Sequence, residues 1–370
     1  MKLLIVASLS DIATANYFIT ALREAAHELL VCSDIDTPAV NIQVKGLVDI
    51  ASLLRQQRFE ADAILFFEGG SMRLLPDTSG VRSCPTLWYA IDTHMDFEKH
   101  VRIGRLFDMT LVAQRQYVEP LTSRGLTQVQ WLPLAFAPEL LPRTLPERDI
   151  DIAYVGSADA TVHPQRSILL DALRGRFPLH RFGRATPEEM GRIYAAARVV
   201  FNRSVNNDLN MRFFEAMGAG AVLVTDRVID NGVEALFEEG LHYLCYESED
   251  DLLRKVGDVL QDTDRLRAIG TSAQSLVQSR HTYAHRASDL ATHLAQARIV
   301  AKPSPGDVFV ACLALGLTTD GLLAAARATE QVGGGRFQSL LGRSAALWIR
   351  LAATLVAVID GLRRALSSAR

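Results

Sequence analysis

The sequence predicts an α/β protein of two facing Rossmann-like domains with a helical C-terminal extension. Three observations predict it. Short apolar runs alternate with longer segments of helical periodicity, the pattern of βαβ units around a mainly parallel sheet. The alternation breaks between Pro138 and Arg148, where Pro138, Pro142 and Pro146 sit among charges without periodicity, and then restarts. From about residue 299 the chain turns alanine-rich and helical in pattern. These breaks divide it into residues 1–138, 149–298 and 299–370.

In the first domain, strands are expected at Lys2–Ala7, Ala63–Phe67, Thr86–Ile91, Met109–Ala113 and Gln128–Leu132, with helical patterns such as Ala13–Leu29 and Val48–Gln57 between them. In the second, strands are expected at Ile150–Val155, His180–Gly183, Val199–Asn202, Ala221–Thr225 and His242–Tyr246. Helices are expected from about Pro164 to Arg176, from Pro187 to Ala197, from near Asn210, and over Asp250–Leu260 and Arg265–Ser279. Thr186 with Glu189 spells a capping box, and Pro187 suits the first turn. In the extension, Gly333-Gly334-Gly335 reads as a hinge. Helical spacing there puts Trp348, Leu351, Leu355, Ile359 and Leu362 on one face and Arg343, Arg350 and Arg364 on the other. Such an amphipathic helix fits packing against the body or a second subunit, or peripheral contact with a membrane surface.

Composition narrows the function classes. The 370 residues suit two domains with an appendage, and 49% apolar with 22% charged residues is ordinary for a globular protein. A net charge of -3 carries no broad basic footprint for nucleic acid. Cys32, Cys84, Cys245 and Cys312 are widely spaced, with no C-x-x-C pair, so neither a metal site nor a disulfide framework is expected and a reducing cytoplasm fits. Met1–Ala7 reads as a first buried strand, because the apolar run is too short for a signal peptide and Asp11 interrupts its continuation. No uncharged apolar stretch reaches the roughly 18 residues of a spanning helix.

The most informative stretch is Asn206-Asn207-Asp208-Leu209-Asn210-Met211-Arg212-Phe213-Phe214-Glu215-Ala216-Met217-Gly218-Ala219-Gly220, followed by the Ala221–Thr225 strand. Polar residues able to cap precede a helix whose first N–H groups and partial positive charge suit a diphosphate. Glu215, about two turns in from the cap, is placed to accept hydrogen bonds from ribose hydroxyls. Gly218 and Gly220 let the helix turn tightly into the next strand. Asp92 and His94 follow the Thr86–Ile91 strand, at the strand end where open α/β sheets place ligands. Either is a candidate base for an incoming hydroxyl; in the plainer reading Asp92 caps the next helix.

The Asn206–Gly220 segment resembles the donor-site motif of group 1 glycosyltransferases of the GT-B fold, and more closely the CgeB-type branch, named for spore-maturation proteins. Three further segments carry the resemblance: Asp151–Ser157, Trp88–His94 with Leu106-Phe107-Asp108, and Arg280–Tyr283 with Arg286. It covers about residues 85 to 290. It implies a cleft with the acceptor on the N-terminal domain and a nucleotide-sugar, by default a UDP-sugar, on the C-terminal domain. Glu215 would hold the ribose. Asn210 to Phe213 and the Arg212 side chain would face the diphosphate, and Gly156 and Ser157 would admit a phosphate or acceptor. Arg166 would neutralise the departing diphosphate, and Arg181 to Gly183 would touch the base. No metal or other cofactor is expected. The pattern departs from the family at Asn207, where retaining members usually carry a glutamate eight residues before the ribose-binding one; Asn207 or Asp208 would then hydrogen-bond the donor sugar. The acceptor stays open among glycan, lipid-linked glycan and protein. A nucleotide-sugar epimerase and a non-catalytic scaffold remain as alternatives. A dehydrogenase is disfavoured because Ala7-Ser8-Leu9-Ser10-Asp11, not G-x-G-x-x-G, follows the first strand.

Overall fold

The computed structural model describes residues 1–69, 72–300 and 303–317. The N-terminal domain runs β1 (Lys2–Val6), α1 (Thr14–Glu24), β2 (Glu28–Ser33), β3 (Ile42–Gln43), β4 (Gly46–Asp49), α2 (Ile50–Gln57), β5 (Ala63–Phe67), β6 (Leu74–Asp77), β7 (Thr86–Ala90), α3 (Phe97–Gly104), β8 (Met109–Val112), α4 (Val118–Ser123) and β9 (Val129–Trp131). Seven of its strands form one parallel sheet in the order β3-β2-β1-β5-β7-β8-β9, and β4 pairs with β6 in a parallel ribbon. The C-terminal domain runs β10 (Ile150–Val155), α5 (Pro164–Arg176), β11 (His180–Gly183), α6 (Pro187–Ala196), β12 (Ala197–Phe201), α7 (Met211–Gly218), β13 (Val222–Asp226), α8 (Val233–Leu236), β14 (Tyr243–Tyr246), α9 (Glu249–Gln261), α10 (Thr263–Arg280) and α11 (Tyr283–Gln296). Its sheet is also parallel, ordered β11-β10-β12-β13-β14. Helices cover both faces of each sheet, so the central strands are apolar throughout: Leu3 to Val6 and Ala63 to Phe67 are buried without interruption.

The predicted strands all form, within a residue or two at each end. The helix expected over Ala13–Leu29 is shorter. It stops at Glu24, Ala26 turns through φ 59°, and Glu28–Ser33 becomes a strand beside β1. Alanine and leucine there favour helix locally, but Val31 and Cys32 gain complete burial in the sheet, and tertiary burial overrides propensity. The helix expected from Val48 likewise starts at Ile50, where Asp49 caps it by accepting from the Ser52 amide at 2.9 Å. The Thr186–Glu189 capping box is present. All four cysteines are buried.

Two connections lock the domains. The chain crosses over at 133–148 and returns through α11, which packs on α1. At the crossing the Phe136 amide donates to the His281 carbonyl (2.9 Å), the Tyr283 amide donates to the Phe136 carbonyl (3.1 Å), and the buried Arg286 donates Nε to the Pro133 carbonyl (2.9 Å). Tyr283 stacks on Tyr17 with ring centroids 5.0 Å apart. His281 and Tyr283 thus fix the closing helix at the crossing. The proline-rich segment is also anchored: a Cβ built on Gly191 of α6 would stand 2.0 Å from the Leu140 carbonyl oxygen. Gly191→Ala is therefore expected to cost about 1–3 kcal/mol, because backbone must move to admit the methyl. An unchanged urea midpoint would contradict that close approach.

The start of the extension belongs to the N-terminal domain. Gln128 exchanges hydrogen bonds with the Arg298 backbone (2.7 and 3.0 Å), and the Val300 amide donates to Asp108 (2.9 Å). Helix α12 (Pro305–Ala314) then packs on α3, burying Val308, Ala311 and Cys312 in the core beneath it. The Gly333–Gly335 hinge and the amphipathic segment around Trp348 lie outside the described residues. Among the described residues no helix is long and apolar enough to cross a membrane.

Candidate functional site

Parallel strands leave their C-terminal ends open for ligands, and here those ends of the two sheets meet across one cleft of about 660 Å³. Its N-terminal wall comes from the residues just past β1, β2, β5, β7 and β8, namely Ser8, Asp34, Glu68, Asp92 and Gln114. Its C-terminal wall comes from Arg166, Asp208, Asn210, Arg212 and Glu215.

On the C-terminal wall, Asn210 is the N-cap of α7, but its side chain caps no helix amide. It donates instead to Asn202 and Asp208 (3.3 Å each), and its own Oδ1 is buried without a partner. The amides of Met211 and Arg212 at the start of α7 therefore meet no capping side chain, whereas that of Phe213 donates to the Asn210 carbonyl (3.2 Å). Arg212 is not a surface cation. It donates to Asn202 Oδ1 (2.6 Å), the Val155 carbonyl (2.7 Å) and Tyr194 Oη (3.2 Å), and lies over the Tyr154 ring at 4.5 Å. Burial works against its charge, but Tyr194, Tyr154 and Glu215 outweigh it and hold the guanidinium charged. Arg166 lies over the same ring at 5.7 Å. It donates to the carbonyls of Arg203 (2.9 Å) and Ser157 (3.3 Å), and its buried Nε has no partner. Burial, with the Arg212 charge nearby, lowers its pKa. Glu215 faces the cleft half-buried rather than lying on a solvated helix face, and burial pushes its carboxyl up to about 7 against the pull of Arg212.

On the N-terminal wall, Asp92 is half-buried, and burial and the neighbouring Glu68 charge raise its pKa. It does not cap the following helix; Asp96 does, accepting from the Lys99 amide at 3.1 Å. What holds Asp92 is Glu68, which accepts from the amides of Ile91 (2.6 Å) and Asp92 (2.9 Å). Glu68 also pairs with His100 Nε2 at 3.1 Å, and the far side of that ring meets Thr93 Oγ1 at 3.0 Å. Burial alone would raise the Glu68 carboxyl, but His100 and the two amides outweigh it and hold it below the ordinary range. Glu68 is not among the residues expected from the sequence, although it ends the apolar Ala63–Phe67 strand just as Asp92 follows Thr86–Ile91.

Several predicted residues stand apart from the cleft lining. Gly156 is at φ 151°, and a Cβ there would come within 2.7 Å of Tyr154 Oη and 2.9 Å of Arg212 Nη2. Its smallness thus serves the Tyr154–Arg212 contact. Ser157 contributes its carbonyl to Tyr154 Oη (3.0 Å) and to Arg166. Arg181 is exposed on the edge strand β11, and Gly183, at φ 142°, accepts from the Gly156 amide (2.9 Å). His94 lies beside the cleft rather than on its wall, its Nδ1 buried without a partner and its carbonyl accepting from Asn206 (3.2 Å). Asn207 explains the departure in the motif. Asn206 and Asn207 both adopt left-handed backbone (φ 49° and 65°), which asparagine tolerates best among non-glycine residues. The Asn207 amide donates to Gln116 Oε1 across the domain boundary (2.7 Å) and to the Ile229 carbonyl (2.6 Å), and accepts from the Ile229 amide (2.9 Å). It staples the domains together. Among the described residues no cluster of three or more His, Cys, Asp or Glu is arranged to hold a metal.

Residues 139–292 match a family model described as glycosyl transferase-like. No curated protein matches the sequence significantly. Among solved structures, Alr3699/HepE of Anabaena, solved with UDP and glucose, superposes with a TM-score of 0.61 at 14% identity, covering 80% of this chain and 100% of that one. Sucrose-phosphate synthase from Thermosynechococcus elongatus gives 0.57 at 13% identity, covering 80% and 99%. A glycosyltransferase from Rickettsia africae gives 0.55 at 11% identity, covering 79% and 97%. The chain therefore has the GT-B fold of glycosyltransferases, with a glycosyl transferase-like domain across residues 139–292.

Proposed function

We propose that this protein transfers a hexosyl group from a UDP-sugar to a hydroxyl of an acceptor held on the N-terminal wall. The observation that carries the reading is one cleft in which Glu215, Arg166 and the uncapped first turn of α7 oppose Asp92. Glu215 would accept the ribose hydroxyls. The α7 amides and Arg166, with its unpartnered Nε, would take the diphosphate, whose negative charge grows as the sugar leaves. Arg212 is a fixed positive charge behind them. Guanidinium groups and a helix end supply the neutralising charge, so the transfer is proposed to run without a metal. Asp92, made more basic by burial and Glu68, would take the proton of the acceptor hydroxyl. The UDP and UDP-glucose bound in the solved HepE structures support a uridine donor. The Asn206–Gly220 segment is what supports placing the chain in the CgeB-type branch. The proposed setting is the cytoplasm, with the tail as the element that meets a membrane surface or a second subunit.

A thermal-shift panel of UDP-, GDP- and dTDP-sugars tests the reading. A bound ligand at a hundredfold excess over its dissociation constant should stabilise the protein by about 2.7 kcal/mol. One nucleotide class should stabilise the wild type and fail with Glu215→Ala; no shift with any nucleotide would end the transferase reading. The affinity should also depend on pH. Glu215 accepts hydroxyls best when ionised, and its carboxyl sits at about 7. Nucleotide affinity is therefore expected to rise with pH up to about 7, by up to about tenfold per unit below it, and to level above. Glu215→Gln should flatten that profile. The same raised pKa runs the other way for stability: the folded protein holds a proton the unfolded chain releases, so this contribution is present below the ordinary carboxylate range and lost as pH rises through about 7.

A further inference from the structure

Behind Asp92 a chain of polar groups runs from the cleft wall into the core. Glu68 Oε2 accepts from the amides of Ile91 (2.6 Å) and Asp92 (2.9 Å). Its other oxygen stands 3.1 Å from His100 Nε2, and His100 Nδ1 stands 3.0 Å from Thr93 Oγ1. Glu68 lines the cleft, whereas Thr93 and His100 lie off it, fully buried, with the Trp88 ring packed on the imidazole.

A threonine hydroxyl donates or accepts by turning about its C–O bond. It accepts from the Nδ1–H of a charged imidazole and donates to the bare Nδ1 of a neutral one. In both states Nε2 keeps its proton towards the Glu68 carboxylate. Loss of the Nδ1 proton to solvent therefore requires no heavy atom to move. What changes is the charge: the His100–Glu68 pair is neutral with that proton and carries one negative charge without it. Asp92 responds to both partners. Burial and the Glu68 charge raise its pKa, and His94 and His100 pull it down. Asp208 of the facing wall also raises it. The remaining titratable groups around His100 are Glu98, Lys99 and Arg102 on its own helix α3 and, on the packed α12, the buried Cys312 and Asp307, which accepts from Ser304 Oγ at 2.7 Å.

We propose that Thr93, His100 and Glu68 form a charge switch behind Asp92, in which the proton on His100 Nδ1 sets the strength of the base. His100 is a positioning residue that acts through Glu68. With the proton on, the pair is neutral and Asp92 is the weaker base. With it off, the uncompensated Glu68 charge makes Asp92 the stronger base, and transfer quickens. The effect on transfer rests on the glycosyl-transfer reading, whereas the switch itself can be read without it.

The test is an NMR titration of the full chain, isotope-labelled at histidine nitrogens and aspartate carboxyls. Asp92→Asn assigns the Asp92 carboxyl and His100→Gln the His100 ring. In wild type, His100 should lose the proton from Nδ1 while Nε2 stays protonated. In His100→Gln, which keeps a donor for Glu68 but no charge, Asp92 should titrate at higher pH. Thr93→Val takes away the acceptor of the charged ring, so Nδ1 should give up its proton at lower pH, and Thr93→Ser should restore it. In UDP-glucose hydrolysis, with water as acceptor, kcat should climb in two steps with pH in wild type and in one step in His100→Gln. KM for UDP-glucose should stay within about twofold, because only the transition state feels the base. A His100 ring that holds its Nδ1 proton across the whole pH range of the folded protein would overturn the switch. So would an Asp92 titration equal in wild type and His100→Gln, or one displaced by His94→Gln instead. The switch seen by NMR without any UDP-glucose binding would keep the proposal and remove the transferase reading; hydrolysis with one pH profile in wild type and His100→Gln would do the reverse.

Discussion

Asp92→Asn is expected to slow sugar transfer by about 10²–10⁴-fold, the usual contribution of a general base. Asparagine keeps the size of the side chain and leaves the Asp92 amide bonded to Glu68, so the wall should keep its shape. What it removes is the proton acceptor. That acceptor is made more basic by burial and the Glu68 charge, and it faces the proposed donor wall across the cleft. Because Asp92 lies opposite Glu215 and Arg166, nucleotide affinity should be nearly unchanged. The loss should fall on kcat, as it does when an interaction formed only in the transition state is removed. Initial rates at saturating donor, set beside UDP titrations, separate the two. A rate within about fivefold of wild type, too small for a lost general base, would take that role away from Asp92.

Glu68→Ala should be the most destabilising single change at the site, by about 3–5 kcal/mol, because it strips a buried histidine of its partner and two amides of their acceptor. Glu68 is 6% exposed and His100 fully buried, its ring packed against Trp88 at 4.9 Å. The sign of the pH dependence comes from the depressed Glu68 carboxyl: its contribution is present above the ordinary carboxylate range and is lost as pH falls through the lower folded value. Urea unfolding near neutrality and again in acid would show the variant's deficit shrinking. Glu68→Gln, which can still accept from the two amides, should lose less. A deficit under about 1 kcal/mol at neutral pH would mean that the pair is no more than a surface-strength contact. Asp92 depends on this support, so the two predictions are linked: with Glu68 gone, the turn bearing the proposed base loses its anchor.

The split between sequence and structure tracks the range of the forces. Strands buried on both faces announce themselves as unbroken apolar runs, and the Thr186–Glu189 box sits within one turn of helix, so both were legible locally. So was Glu215, because a capping segment, a helix and a glycine-rich exit stand next to one another in the chain. The Glu28–Ser33 strand was not, because its residues favour helix until β1 offers a place to bury Val31 and Cys32.

The site divides in the same way. The sequence by itself determined two parallel α/β domains and marked the start of α7 and Glu215, which line the cleft, as the residues of the proposed donor site. Only the tertiary structure decided that Glu68 and His100 hold Asp92, that Gly156 makes room for Tyr154 and Arg212, and that Asn207 bridges the domains to Gln116. It also decided that α12 folds back onto α3. Asn207 and Gln116 are 91 positions apart, and Glu68 and Asp92 are 24. Hydrogen bonds act over about 3 Å, so contacts across such separations exist only once the sheets have set the strand ends side by side.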